Sequence, residues 1–181
     1  MDFDEFGNYK AGIHAVSLEW FKNHLVDEAE KSTTRSRNLT SFIEFCKLQQ
    51  VKEYIDTITY VLIDGSFVTN KIDPHDIDVL FISEFVGENY EELISFSEQA
   101  KRTYAFFAKV KREAYKYHSD IYFIPKVKLD LIQSLAPDHP DVSNYCSKLD
   151  YQYKYWLGQF TFDRDERPKG IFKIVGGEFS E

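Results

Sequence analysis

Two short apolar runs separated by a polar break dominate the middle of this chain. The segment from Leu62 to Ile82 reads LIDGSFVTNKIDPHDIDVLFI. Val61 to Ile63 and Ile77 to Ile82 have the β-branched, apolar character of buried strands, whereas glycine, asparagine, aspartate and proline interrupt regular structure between them. The pattern therefore predicts a strand, a loop and a second strand.

An Asp-x-Asp pair lies where the second run begins. Side chains alternate between the two faces of a strand, so Asp76 and Asp78 are predicted to point the same way, opposite Ile77, Val79 and Phe81. Two carboxylates in one small site repel each other unless a cation lies between them, and Mg²⁺ suits such oxygen ligands. The competing interpretation is a solvated strand end, because an isolated Asp-x-Asp is a weak motif in a chain with 30 acidic residues.

A Gly-Ser turn follows the first run directly. Glycine lets the backbone approach a ligand closely, and the amides after Gly65, with the Ser66 hydroxyl, can donate hydrogen bonds to phosphate oxygens. Lys71, in the same loop, is either a further phosphate partner or a simple loop charge. A metal at the carboxylates would link this triphosphate site to phosphoryl or nucleotidyl transfer.

The stretch GSFVTNKIDPHDID resembles the signature of the polymerase-β-like nucleotidyltransferase superfamily. There a Gly-Ser turn is followed, one loop later, by an Asp-x-Asp or Asp-x-Glu pair, and a third acidic residue comes from a later strand. Asp120 in SDIYFI suits the third position, with Asp130 in KVKLDLI as its rival. Nine residues lie between Ser66 and Asp76, one fewer than is usual in the minimal nucleotidyltransferase antitoxins of bacterial toxin–antitoxin pairs.

The chain is also similar to a little-characterised bacterial family of nucleotidyltransferase-like proteins. This second resemblance spans nearly the whole chain, whereas the superfamily signature covers only Leu62 to Ile124. The shared features are an FxxxGxxxxGIH stretch, a DGSFVTxKxxPxDIDV core, an acidic strand residue and a YW pair followed by KGI, which here are Phe3, Gly7, Gly12, Ile13, His14, Asp120, Tyr155, Trp156 and Lys169 to Ile171.

These resemblances imply an α/β (α+β) nucleotidyltransferase fold, in which a small mixed β-sheet is flanked by helices. They imply Mg²⁺-dependent transfer of a nucleoside monophosphate from a nucleoside triphosphate, ATP favoured, to a protein or tRNA hydroxyl, in a toxin–antitoxin or phage-defence setting. Asp76 and Asp78 would hold two metal ions, and Asp120 would complete one metal site and help deprotonate the acceptor. The alternative is a non-catalytic nucleotide sensor or partner-binding module on the same fold.

Composition bounds the remaining possibilities. The 181 residues are enough for a single domain with one core, and Cys46 and Cys146 are predicted to be buried free thiols. A net charge of −8 argues against bulk electrostatic binding of DNA. Because the chain shows neither a leader pattern nor an apolar run of membrane-spanning length, we expect a cytoplasmic protein without membrane contact. No pattern indicates an oligomeric state.

The flanking segments are predicted to be architectural. Residues 1–15 read as an extended N-terminal arm, and residues 141–175 as a C-terminal helix and hairpin. Ser17 caps a helix that runs to about Asp27, and Thr33 or Thr34 opens another that carries Leu39, Phe42, Ile43 and Cys46 on one face. In the C-terminal part, a helical stripe (Val142, Tyr145, Cys146, Leu149, Tyr153, Trp156) is predicted to end at Gly158, and Gln159 to Phe162 to pair with Gly170 to Val175.

Some polar residues have two interpretations. Five basic residues share one side of a predicted helix, opposite an apolar stripe, and either form a solvated face or help to hold phosphates. His75 and His118 flank the acidic positions and either reach a phosphate or remain surface neighbours. The basic residues are Lys101, Arg102, Lys109, Arg112 and Lys116, and the apolar stripe opposite them is Leu93, Phe96, Ala100, Tyr104, Phe107 and Ala114.

Overall fold

A five-stranded mixed sheet forms the centre of the computed structural model, which describes residues 3–179. The strands are β1 (Gly12–Ala15), β2 (Tyr60–Asp64), β3 (Ile77–Glu84), β4 (Ser119–Lys126) and β5 (Gly170–Val175), and they lie in the order β1-β5-β2-β3-β4. β1 is parallel to β5 and β3 to β4, whereas β2 is antiparallel to both of its neighbours. The prediction of a small mixed sheet flanked by helices is confirmed at this level.

Helices cover both faces of the sheet. They are α1 (Leu18–Lys22), α2 (Arg35–Lys47), α3 (Gln49–Ile55), α4 (Tyr90–Ala114), α5 (Leu129–Leu135) and α6 (Pro140–Thr161). A π-helical turn, Asn23–Asp27, continues α1, and short 3₁₀ turns occupy Gly65–Val68, Tyr115–Tyr117 and Gly176–Phe179. None of the helices within the described residues is long and apolar enough to span a membrane.

Side chains of β3 alternate between the two faces of the sheet, and each face is covered by different helices. Val79 and Phe81 pack into a core with residues of α1, α2, α3 and α4, whereas Leu80 and Ile82 pack on the other face against α6. Ile77 is buried in the first layer, as predicted. Because Asp78 has the same parity as Leu80, its side chain belongs to the face that α6 covers, near the end of the strand where that cover stops.

The predicted helix starts are close to the observed ones. Ser17 caps α1 by accepting a hydrogen bond from the Trp20 amide, and the helical segment runs to Asp27. α2 begins directly after Thr34, but Ser32 supplies the capping oxygen, because its Oγ accepts from the amides of Thr34 and Arg35. Cys46 and Cys146 are buried free thiols, as predicted.

The predicted C-terminal hairpin is wrong. α6 continues past Gly158 to Thr161, because Leu157 and Phe160 still pack against the sheet and such contacts hold a helix through one glycine. Beyond α6, Phe162 forms a single bridge to Pro168. β5 instead lies between β1 and β2, so both of its edges are already hydrogen-bonded.

The N-terminal arm is more ordered than predicted. Residues 1 and 2 of the predicted arm lie outside the described residues, but Gly12–Ala15 forms an edge strand on β5. Asn8 forms a bridge with Thr69, which attaches the preceding segment to the Gly-Ser loop. The predicted extended arm is therefore attached by hydrogen bonds to a sheet edge and to this loop.

The predicted basic face is exposed to solvent. It comprises four residues of α4 and one residue of the 3₁₀ turn that follows it: Lys101, Arg102, Lys109, Arg112 and Lys116. Tyr104 was expected on the buried side, but it is 57% exposed. Its ring lies beside the open groove between α4 and α6, where Gln152 forms part of the opposite wall.

Candidate active site

Three aspartates form a row across adjacent strands. Asp64 ends β2 and lies directly opposite Asp78 of β3, which in turn lies opposite Asp120 of β4. Residues paired in register project from the same face of a sheet, so the three carboxylates are neighbours. Asp76 precedes β3 and lines the same cleft as Asp64 and Asp78. We refer to Asp64, Asp78, Asp120 and Asp76 as the acidic row.

A lysine lies at each outer end of the acidic row. Lys169 Nζ is 2.8 Å from Asp64 Oδ1 and 3.0 Å from Oδ2, and both side chains are almost completely buried. Lys111 Nζ is 2.9 Å from Asp120 Oδ1 and also lies 3.5 Å from the centre of the Tyr122 ring. Within residues 3–179, Asp76 and Asp78 form no such ion pair.

Asp120 is further engaged by two tyrosines. The Tyr115 hydroxyl donates to Oδ1 over 3.1 Å, and the Tyr122 hydroxyl donates to Oδ2 over 2.9 Å. Both oxygens of this carboxylate therefore have protein partners. Asp120 adjoins Asp78 in the sheet, but it does not line the cleft that contains the other members of the acidic row.

Charge crowding perturbs the centre of the row. Burial first, and then the neighbouring carboxylates of Asp76, Asp64 and Asp120, raise the pKa of Asp78 to about 7 against an opposing effect of Lys169. Burial likewise raises the pKa of Asp64 to about 6, although Lys169 partly offsets this shift. A carboxyl group that holds its proton near neutral pH has too little positive charge around it. A divalent cation would supply that charge.

The Gly-Ser turn lies against the acidic row. Gly65 has a φ of +77°, and a Cβ at this position would lie 1.7 Å from Asp78 Oδ2. Only glycine fits there, because the left-handed conformation and the adjacent carboxylate both exclude a side chain. The turn continues as a single 3₁₀ turn to Val68, and Ser66 lines the cleft beside Asp78.

A buried arginine holds the loop that follows this turn. Arg35 of α2 is 3% exposed, and its guanidinium donates to the carbonyl oxygens of Leu25, Phe67, Thr69 and Lys71. These bonds fix the backbone path between the Gly-Ser turn and Asp76. Burial lowers the Arg35 pKa to about 10, so the side chain stays charged at neutral pH.

One cleft of about 650 Å³ contains most of the predicted site residues. This volume is within the range of small-molecule sites in proteins. The walls come from the N-terminal segment, the Gly-Ser loop, the start of β3, the end of α6 and the start of β5. The lining residues are Asn8, Asp64, Gly65, Ser66, Thr69, Lys71, His75, Asp76, Asp78, Gln159, Phe162, Asp163, Arg164 and Lys169.

Of the other predicted site residues, some line the cleft and some do not. Lys71 and His75 line the cleft with exposed side chains, so the loop brings both to the acidic row. His118 does not line it and lies just before β4, where burial and the nearby charge of Arg37 lower its pKa. Asp130 lies on α5, beyond the far end of β4, and is excluded from the row.

Sequence reasoning missed Asp64, both lysines and Arg35. Asp64 was visible as the residue before Gly65, but an acidic residue at a strand end has no motif value by itself. Lys169 was noted only as part of the KGI triplet, and no local pattern links it to Asp64, 105 positions earlier. Lys111 was overlooked because it lies outside the exposed basic face of α4.

The side chains of the acidic row are of the kind that bind a hard divalent cation. The free ligands of the row are the carboxylate oxygens of Asp76 and Asp78, which Mg²⁺ prefers, and burial together with the neighbouring carboxylates raises the pKa of Asp78. In the part of the chain from 3 to 179, no three His, Cys, Asp or Glu side chains are already gathered at metal-holding distances. The outer carboxylates, Asp120 and Asp64, are paired with Lys111 and Lys169.

A protein-family profile matches residues 1–175. The chain belongs to the Family of unknown function (DUF6932). No curated protein and no solved structure matches it. The region shared with this family contains the whole acidic row, both lysines and Arg35, so the site belongs to the family domain and not to an appended segment.

Proposed function

We propose that the chain has a nucleotidyltransferase fold and is a Mg²⁺-dependent nucleotidyltransferase that transfers a nucleoside monophosphate to a hydroxyl of a protein or RNA. One observation carries this proposal. The two carboxylates without a lysine partner, Asp76 and Asp78, line the same cleft as the phosphate-type turn at Gly65 and Ser66. Acid residues and a close-approach turn in one cleft are what the transfer of a charged phosphoryl group requires.

Different residues of the cleft would bind the cation and the triphosphate. Asp76 and Asp78 would hold the cation, while the amides that follow Gly65, the Ser66 hydroxyl and the Lys71 ammonium bind the triphosphate oxygens. When bound, Mg²⁺ supplies charge neutralisation at the phosphates. The acceptor hydroxyl oxygen forms a bond to the α-phosphorus. The bond between the α-phosphorus and the oxygen that bridges it to the β-phosphorus breaks, and pyrophosphate leaves.

The charges of the row favour one tightly held ion. Asp64, Asp76, Asp78 and Asp120 contribute four negative charges when ionised, and Lys169 and Lys111 contribute two positive charges. The remaining two negative charges match a single divalent cation. A second ion at Asp120 requires Lys111 Nζ to leave Oδ1, and the hydroxyl proton of the acceptor can pass to this carboxylate only after the same movement.

The direct test is transfer of label from the four α-³²P nucleoside triphosphates, with ATP expected to be the best, to total tRNA, to lysate protein and to the chain itself. The matched variant is Asp76→Asn with Asp78→Asn, which removes charge and keeps shape. We expect label on one acceptor from the wild type and none from the variant. Label that persists at the wild-type level in the variant refutes the assignment of the site.

A non-catalytic role on the same fold is the second candidate. It is favoured by the engagement of Asp120, whose two oxygens are held by Lys111, Tyr115 and Tyr122. A nucleotide sensor would bind a nucleoside triphosphate with Mg²⁺ and transfer nothing. Nucleotide binding by calorimetry without label on any acceptor therefore supports the sensor over the transferase.

A further inference from the structure

The cleft does not stop at the acidic row. It continues past the end of α6 into a second concavity of about 600 Å³, which we call the outer cleft. Four residues, Gln159, Phe162, Asp163 and Arg164, line both parts, so the two are continuous. Gly158 and Glu166 complete the outer cleft. A ligand with its phosphates at the acidic row has the outer cleft as a neighbouring space.

A helix-interior glycine forms part of this wall. Gly158 lies within α6, where glycine is less favourable than alanine. Apart from its chain neighbours and the backbone of its own helix, no heavy atom of the described residues lies within 4 Å of the position that its Cβ would take. Crowding by the chain therefore gives no reason for glycine. The residue leaves a patch of bare helix backbone open to the outer cleft.

An exposed aromatic ring stands beside this patch. Phe162 is the extended residue directly after α6, lines the outer cleft together with Gly158, and is 45% exposed. Phenylalanine has no polar atom to satisfy in water, so a ring held open in a cleft offers a flat apolar face to a ligand. Bare backbone and a ring together form a slot suited to a planar group.

The segment after α6 is braced in place. The Asp163 carboxylate accepts hydrogen bonds from Asn8 Nδ2, Arg167 Nε and the amides of Asp165 and Arg167, each over 2.9 Å. These bonds hold the backbone next to Phe162 before any ligand arrives, which reduces the ordering that binding requires.

Two polar side chains at the slot are free. Within residues 3–179, neither the Gln159 amide nor the Arg164 guanidinium has a hydrogen bond or ion pair. An amide carries both donors and an acceptor, as the edge of a nucleobase does. A guanidinium can stack on a base or pair with a phosphate.

We propose that the outer cleft is the nucleobase subsite for the nucleoside triphosphate. The base stacks on Phe162 and lies flat against the bare backbone at Gly158, while Gln159 hydrogen-bonds to the edge of the base. This inference rests on the proposed function, because it takes the triphosphate to lie at the acidic row. It adds that the end of α6, and not the Gly-Ser loop, recognises the base.

Calorimetry with two probes in Mg²⁺ separates the base from the phosphates. The first probe is α,β-methylene-ATP, which resists transfer, and the second is inorganic tripolyphosphate, which has no base. In Phe162→Ala the affinity for α,β-methylene-ATP should fall by about 10-fold or more, the range of lost base stacking, while tripolyphosphate binds as in the wild type. Phe162→Trp should keep the nucleotide affinity.

The Gly158→Leu variant distinguishes loss of binding from loss of folding. Leucine favours helix over glycine, so the melting temperature should rise, yet the added side chain fills the slot and α,β-methylene-ATP binding should fall. The matched control is Tyr151→Ala, which removes an exposed ring of α6 outside the cleft. It should bind both probes normally.

The possible results are distinct. If neither probe binds the wild type, the proposed function fails, and this inference fails with it. If both bind and the Phe162→Ala and Gly158→Leu variants retain full nucleotide affinity, the subsite is refuted and the proposed function stands. An equal loss of both probes in these variants also refutes the subsite, because the effect is then not specific to the base.

Discussion

The two ends of the acidic row hold the same ion pair in different surroundings. Asp64 and Lys169 have side chains that are 7% and 10% exposed, whereas those of Asp120 and Lys111 are 19% and 30% exposed. The buried pair joins β2 to the start of β5, and the outer pair joins β4 to a helix on the surface. Water therefore reaches the outer pair more readily than the buried pair.

This difference in exposure indicates that one ion pair is fixed and the other can rearrange. A lysine buried beside a carboxylate has no alternative partner, so the Asp64–Lys169 pair is a fixed charge in the wall of the cleft. The Lys111 ammonium can exchange Asp120 for water at little cost, because exposed pairs contribute little to stability. We infer that any rearrangement of the row on binding a cation occurs at the Asp120 end.

Removing the buried lysine should have the largest effect. Lys169→Met leaves Asp64 buried without its cation, and loss of one partner of a buried pair costs about 3 kcal/mol in the free energy of unfolding. Urea denaturation at pH 8 measures this change. The loss should shrink at pH 5, where a buried lone carboxyl takes up a proton at lower cost.

The matched control for Lys169→Met is the double variant that also carries Asp64→Asn. It removes the orphaned charge and should recover part of the lost stability. If Lys169→Met unfolds at the wild-type urea concentration, the Asp64–Lys169 pair is not the fixed element that its burial indicates, and the contrast between the two ends disappears.

The centre of the row, which has no lysine, should give the next largest effect. The raised pKa of Asp78, about 7, means that the folded protein binds more protons than the unfolded chain between about pH 4 and pH 7. Stability without metal should therefore fall as the pH rises, by about 2 kcal/mol for this group between pH 5 and pH 7. Melting temperatures from pH 5 to pH 8 in EDTA measure the slope.

Two comparisons isolate Asp78 in this experiment. Asp78→Asn should flatten the slope and stabilise the protein at pH 8, because the uncompensated charge is gone. Addition of Mg²⁺ should raise the melting temperature of the wild type at pH 8 and leave that of Asp78→Asn nearly unchanged. A wild-type protein that gains stability from pH 5 to pH 8 in EDTA contradicts the charge crowding described for the row.

The sequence was sufficient for the parts of this site that are local. The alternation of apolar and polar residues predicted β2 and β3, and the Gly-Ser turn and Asp-x-Asp pair were read from one continuous stretch that also forms one wall of the cleft. Asp120 was assigned to a later strand from its position at the start of an apolar run, and in the structure that strand pairs with β3 and brings Asp120 into register with Asp78.

The rest of the site comes from strand order, which no local pattern specifies. β5, the last strand in the chain, lies beside β2, and this neighbour relation brings Lys169 to Asp64. The segment from Gln159 to Phe162 was predicted as one strand of a hairpin because a polar turn follows it, but packing of Phe160 on the sheet keeps residues up to Thr161 helical. That error concealed the wall of the outer cleft.

The outer pair gives the smallest predicted effect on stability and the sharpest test of the contrast. Lys111→Met removes an ion pair and a cation–π contact that water partly reaches, so the free energy of unfolding should fall by about 1 kcal/mol. The same change frees Asp120 Oδ1 beside Asp78, so Mn²⁺, used as a probe for Mg²⁺, should bind more tightly or at one additional site. Electron paramagnetic resonance of free Mn²⁺ during titration counts the bound ions.

Lys109→Met is the matched control on the same helix, since it removes one exposed positive charge that has no partner within the described residues. A general gain in negative charge would strengthen Mn²⁺ binding equally in both variants, whereas release of Asp120 acts only in Lys111→Met. Equal Mn²⁺ binding by the two variants would therefore mean that Lys111 does not control access to Asp120. The Asp120 end would then be as fixed as the Asp64 end, despite its exposure.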